Sequence, residues 1–281
     1  MKRSALWRAA LLWIALAPWA DPAQALKIGS CYERHLPKIP APAPSRELYI
    51  FVDQTLDFSE SLRGHADRRI FGSLREADRV LLIPFSAFAA GRYPRIEFEG
   101  AIERDLSPAE RFPIPKRDLR RFDACRQRQR SLVHQKLKEA LHKTFEASNP
   151  ALPKTDLIST VGWLNLRRVS KLSKGGERSL LFISDMLENS NLLSFYPPAK
   201  LQGLAPEAAV AKLREAGETS SLEGSCIYVI GAAYSLVEGY VTAAQLRNLE
   251  RFWELFFAAS NARLVEFGRP ELGASIGGCP G

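Results

Sequence analysis

The chain has 281 residues, 46% of them hydrophobic and 25% charged, and an excess of Lys and Arg gives a formal net charge of +8. That apolar fraction excludes a disordered or fibrous chain and is ample for a packed core. The basic balance favours acidic partners or anionic surfaces.

In chain order, the first segment reads as a secretory signal peptide over residues 1–25. Lys2, Arg3 and Arg8 form its basic start, residues 9–19 its apolar core, and Ala23-Gln24-Ala25 a small-x-small cleavage site. The core is too short for a membrane-spanning helix, which needs about 20 apolar residues. Cleavage there predicts a periplasmic or secreted protein with no transmembrane segment and no nucleic-acid partner. In that oxidising setting Cys31, Cys125, Cys226 and Cys279 predict two disulfides, and three pairings are open. Ile28-Gly29-Ser30-Cys31 loosely imitates a lipid-attachment box, but Asp21 and Lys27 interrupt its apolar approach. Residues 26–46 form a proline-rich leader, extended where 36–45 alternate proline with small residues. The domain proper is predicted over 47–268, with a tail at 269–281.

Two apolar runs stand out, Leu48-Tyr-Ile-Phe-Val-Asp53 and Ser179-Leu-Leu-Phe-Ile-Ser-Asp185, and each ends on a carboxylate. Uninterrupted runs rich in β-branched and aromatic residues predict strands buried on both faces. Further strands are predicted at 80–85, 226–232 and 263–267, with a half-exposed antiparallel edge strand at 95–102. Ser59 is placed to cap a helix reaching about residue 74. Residues 116–147 read as a long helix with one apolar side and one strongly basic side, on which His134 and His142 are surface residues. Helices are also predicted over 157–169, capped by Thr155-Asp156, over 206–216, and over 242–261. In the last, Leu246, Leu249, Phe252, Trp253, Phe256 and Phe257 face the core and Gln245, Arg247, Asn248 and Arg251 face outward. The alternation specifies an α/β fold, doubly wound, with a mainly parallel sheet, helices on both faces and one antiparallel edge strand.

Open sheets of this kind hold ligands outside the carboxyl ends of their strands. Three segments there carry oxygen ligands: Asp53-Gln54-Thr55-Leu56-Asp57, Thr155, and Asp185. This order resembles the von Willebrand factor type A domain and its metal-ion-dependent adhesion site. In that family a DxSxS-like loop after the first strand, a threonine before a later helix and an aspartate after the fourth strand surround one divalent cation. The resemblance covers about residues 47–267. It implies that Asp53 and Asp185 supply charge, largely through bound waters, while Thr55 and Thr155 coordinate directly. It also implies a protein partner whose acidic residue completes the shell. Hydroxyls, carboxylates and waters at about 2.0–2.1 Å suit Mg2+, with Mn2+ or Ca2+ as alternatives. Asp57 stands where the family has a second hydroxyl, and either ligates or points away.

Two other readings use the same residues. One is a metal-free scaffold that docks through its basic helix to an anionic partner or envelope surface. The other is a metal-dependent phosphatase-like hydrolase, since Asp53 follows a first buried strand as a phosphatase nucleophile does, although Thr55 replaces the second aspartate such enzymes use. The sequence has no GxxxxGK[ST], HExxH, CxxC or GxSxG signature.

Overall fold

A computed structural model describes residues 26–86, 94–152, 155–164, 170–172, 175–236 and 242–279. The predicted signal peptide and the end of the helix expected over 157–169 lie outside the described residues. The strands are β1 (Leu26–Lys27), β2 (Arg46–Asp53), β3 (Asp78–Phe85), β4 (Phe98–Ile102), β5 (Glu177–Ile183), β6 (Ser225–Ile230) and β7 (Ala262–Phe267). The helices are α1 (Cys31–His35), α2 (Glu60–Ser73), α3 (Pro108–Arg111), α4 (Lys116–Glu146), α5 (Leu157–Trp163), α6 (Pro206–Glu215) and α7 (Ala243–Ala259).

The strands form one sheet in the order β1-β4-β3-β2-β5-β6-β7. Pairing is parallel except between β3 and β4. The doubly wound sheet read from the sequence is therefore present, with its antiparallel strand where the alternation places it. β4 is covered on its outer side by β1 at Phe98 and Glu99 alone.

The continuous apolar runs are explained by the two layers they serve. On β2, Tyr49 and Phe51 pack with Phe182, Val229 and the α5 and α7 side chains on one face, while Leu48, Ile50 and Val52 pack with α2 and α4 on the other. A strand covered on both sides has no solvent face to carry polar residues. Helix α7 inserts Leu249, Phe252, Trp253, Phe256 and Phe257, all fully buried. Gln245, expected to face outward, is buried because it closes a capping box with Thr242.

The segments read as leader and tail are folded parts of this unit. Cys31 is bonded to Cys125 of α4, and Cys226 of β6 to Cys279. The first bond draws Tyr32 and Leu36 into a small apolar cluster with Phe122, and it occupies the sulfur that a lipid-attachment reading of Cys31 would need. In the tail Leu272 and Ile276 are buried. Among the described residues no helix is long and apolar enough to cross a membrane.

At the amino-terminal edge of the sheet each buried carboxylate meets an arginine. Arg46 grips Asp78 with two nitrogens, one at 2.8 Å, and donates to the Ile276 carbonyl at 3.0 Å. Arg79 joins Glu47 at 2.7 Å and Glu99 at 3.0 Å. Removing one member of such a pair leaves a buried charge without compensation. Arg46→Ala is expected to cost about 3–5 kcal/mol in urea unfolding, much of it recovered when Arg46→Met is combined with Asp78→Leu. A loss below about 1 kcal/mol for the single variant, the range of an exposed ion pair, would contradict this reading of the edge.

Candidate functional site

The opposite edge is built differently. β2 and β5 are parallel neighbours with Val52 opposite Ile183, so Asp53 and the Ser184-Asp185 pair leave the sheet side by side. β6 lies next to β5, and the chain beyond it turns back toward Asp185. Gly231 makes that turn at φ +93, where a Cβ would meet the Phe58 ring at 3.2 Å and the Ser184 carbonyl at 3.3 Å. Met186 and Ala233, both non-glycine residues with positive φ, flank the site, and the Ala233 N–H donates to the Asp185 carbonyl at 2.9 Å. Backbone in this region costs on the order of 1–3 kcal/mol per residue and persists where its surroundings enforce it.

Asp53 and Asp185 are 0% and 1% exposed. Asp53 Oδ1 accepts from the Thr55 N–H at 2.9 Å and the Thr55 hydroxyl at 2.6 Å, and its Oδ2 accepts from Ser184 Oγ at 2.8 Å. Thr55 Oγ1 lies 2.7 Å from Thr155 Oγ1. Asp185 Oδ1 accepts from the Leu187 N–H at 2.9 Å, and Ser235 Oγ donates to its Oδ2. Hydroxyls and backbone amides thus hold the two carboxylates, and among the described residues no Lys, Arg or His pairs with either.

Burial raises the Asp53 carboxyl above its ordinary value, against hydrogen bonds from Thr55 and Ser184 that lower it. Burial and then the Asp53 charge push Asp185 up to about 7. The Tyr196 hydroxyl feels the same field. It is pushed up to about 12 by burial and then by Asp185, while a hydrogen bond with Ser235 opposes the shift.

Neighbouring elements fix the geometry. Thr155 precedes α5, whose cap Asp156 accepts from the Ser159 N–H at 2.9 Å. Glu188, fully buried, accepts from the Leu157 and Ile158 N–H groups at 2.9 and 3.1 Å, and the Asn189 N–H donates to the Thr155 carbonyl at 2.8 Å. The loop after Asp185 is thereby tied to the loop bearing Thr155. Trp253 of α7 donates from Nε1 to the Met186 carbonyl at 2.8 Å and anchors the same loop to the core.

Of the residues selected from sequence, Asp53, Thr55, Thr155 and Asp185 are brought to one edge of the sheet. Asp57 is not brought to the cluster. Its side chain is 71% exposed and pairs with Arg63 at 2.5 Å, because Phe58 turns inward against Phe145 and Tyr234 and sends its neighbour to solvent. Sequence reasoning missed Ser184 and Ser235. Ser184 adjoins Asp185 and occupies the strand position after the last β2–β5 pair, while Ser235 follows the next parallel strand at the same edge. Among the described residues no three His, Cys, Asp or Glu side chains are grouped to hold a metal ion. A cation here would draw on two carboxylates, hydroxyls and water. No protein-family model and no curated protein matches the chain.

The carboxyl shift sets a pH dependence. An acid whose folded value is raised favours the folded state in its protonated form, so the stability associated with Asp185 is lost as pH climbs from the ordinary 3.8 to about 7. Asp185→Asn keeps the hydrogen-bonding shape and removes the charge. In chelator it is expected to be more stable than the parent near about pH 8, on the order of 2–4 kcal/mol, with the gap shrinking toward about pH 5. Urea unfolding at both values checks this, and a parent chain as stable as the variant at the higher pH would contradict it.

Proposed function

We propose that this edge binds a divalent cation and that the protein is an adhesion module of the von Willebrand factor A type, acting by coordination without turnover. The supporting observation is the buried Asp53–Asp185 pair, which among the described residues has no basic side chain beside it. Two ionised carboxylates in a low-dielectric site repel each other, so they need a proton or a cation. Six oxygen-bearing side chains converge there, from Asp53, Thr55, Thr155, Ser184, Asp185 and Ser235. Magnesium suits this donor set because it accepts hard oxygens and keeps waters of its own.

In this reading Asp53 and Asp185 supply the charge, and Thr55 and Thr155 supply hydroxyl ligands. Ser184 and Ser235 orient the carboxylates from behind. A protein partner presents an acidic residue to the remaining coordination positions. Placing Asp57 outside the cluster leaves more positive charge on the ion, which favours capture of an acidic group. Tyr196 and Leu192, exposed in the loop that follows Asp185, would contact the partner. The two disulfides are of the kind an oxidising compartment sustains, which supports a location outside the cytoplasm.

Isothermal titration with magnesium tests the proposal. Asp53→Ala and Asp185→Ala are expected to abolish the binding heat. Ser235→Ala is expected to weaken affinity about 10–100-fold as an orienting residue, and Asp57→Ala to leave it within about threefold, as for an exposed and screened charge. Equal heats from the parent and the two aspartate variants would end the metal reading.

A further inference from the structure

A second surface lies on α4, away from the carboxylate edge. The buried side of this helix carries Phe122, Cys125, Gln129, Val133, Leu137 and Leu141. Its outward side carries Arg117, Arg120, Arg121 and Arg128 around the small Ala124, and these residues with His35 line a shallow depression. His35 ends α1, which the Cys31–Cys125 bond fastens against α4. A second depression continues through Arg128 to Gln127, Ser131, Leu132 and Gln135.

Most of the charge on this stripe has no acidic partner among the described residues. Several other cations on or beside the helix meet acids: Arg111 with Asp123 at 2.7 Å, Arg126 with Glu76 at 2.8 Å, and Lys136 with Glu139 at 2.7 Å. Within the stripe Arg117 has Asp118 at 3.2 Å, while Arg120, Arg121 and Arg128 are exposed, and among the described residues no acid pairs with them. Like charges at three- and four-residue spacing on a helix repel by a few tenths of a kcal/mol per pair, so the arrangement works against the helix unless an anion sits on it. Two large apolar side chains near these cations in sequence are exposed. Phe112, just before α4, is 92% exposed, and Leu132 is 40% exposed.

We propose that this face docks the protein onto an anionic lipid surface. Guanidinium groups match phosphate oxygens bidentately. A straight row of them about 17 Å long, from Arg117 to Arg128 at helical rise, suits a plane of phosphodiester headgroups, because the depressions have no deep wall to select a shaped ligand. The nearly bare Phe112 ring gains by entering the headgroup boundary, where aromatic side chains add to electrostatic attachment. Docking by α4 leaves the carboxylate edge free, so the surface is independent of the cation site.

Flotation of the purified protein with phosphatidylcholine vesicles, alone or mixed with phosphatidylglycerol, tests the proposal. The protein is expected to float with the mixed vesicles alone, to be released by high salt, and to be unaffected by chelator. Replacing Arg120, Arg121 and Arg128 together by Gln should weaken the partition about a hundredfold, replacing them by Lys should weaken it only severalfold, since the charge is kept and the bidentate match is lost, and Phe112→Ser should weaken it severalfold. Equal flotation with both vesicle types, or undiminished flotation of the triple Gln variant, would overturn the proposal. So would retention on inorganic phosphate or polyglutamate without binding to vesicles. Loss of flotation in chelator would also overturn it, by assigning the attachment to the other site.

Discussion

The organisation of this molecule depends on how buried negative charge is handled at the two edges of one sheet. At the amino-terminal edge Arg46 and Arg79 neutralise Asp78 and Glu47 inside the protein. At the carboxyl edge Asp53 and Asp185 are just as buried, and among the described residues hydroxyls and amides surround them in place of a basic group. The first arrangement closes a charge balance within the fold. The second leaves it open, and what closes it is either a proton or a cation from solution. Desolvating a carboxylate without a partner works against folding, so the carboxyl edge is where structure has been spent on something other than stability.

Support for that edge comes from the layers around it. Trp253, rooted in the aromatic cluster of α7, fixes the Met186 carbonyl, and Glu188 with Asn189 ties the same loop to the start of α5. Gly231, Met186 and Ala233 adopt left-handed backbone to bring Ser235 and Asp185 together. Glu188 itself is pushed up to about 8, chiefly by burial and also by the Asp156 charge. This further buried carboxyl accepts from the Leu157 and Ile158 N–H groups at the start of α5 and has a structural role there.

Much of the fold was legible because its signals are local. The apolar runs ending at Asp53 and Asp185 mark strands covered on both faces, and Ser59 and Asp156 cap their helices as their positions suggest. The site was legible where it follows strand ends, at Asp53 and Asp185, and where a hydroxyl precedes a helix, at Thr155. It was not legible where tertiary packing decides. Asp57 points outward because Phe58 packs inward, which no spacing rule contains. Ser235 joins the site through a glycine turn and a sheet order that single-sequence patterns leave open. The proline-rich leader and the tail read as lying outside the domain because their burial rests on long-range bonds from Cys31 and Cys279 and on the Arg46 contact with Ile276.

The two proposed surfaces divide the work by chemistry. One gathers negative charge inward for a small hard cation, and the other presents positive charge outward along a helix. A protein built this way would be held at an anionic surface while its carboxylate edge faced a partner. The central claim is that Asp53 and Asp185 share a cation, and anomalous scattering from crystals soaked in manganese tests it most directly. The account predicts an anomalous peak among the side chains of Asp53, Thr55, Thr155 and Asp185. Well-ordered density for these four residues with no peak between them, or a peak confined to other carboxylates, would contradict it.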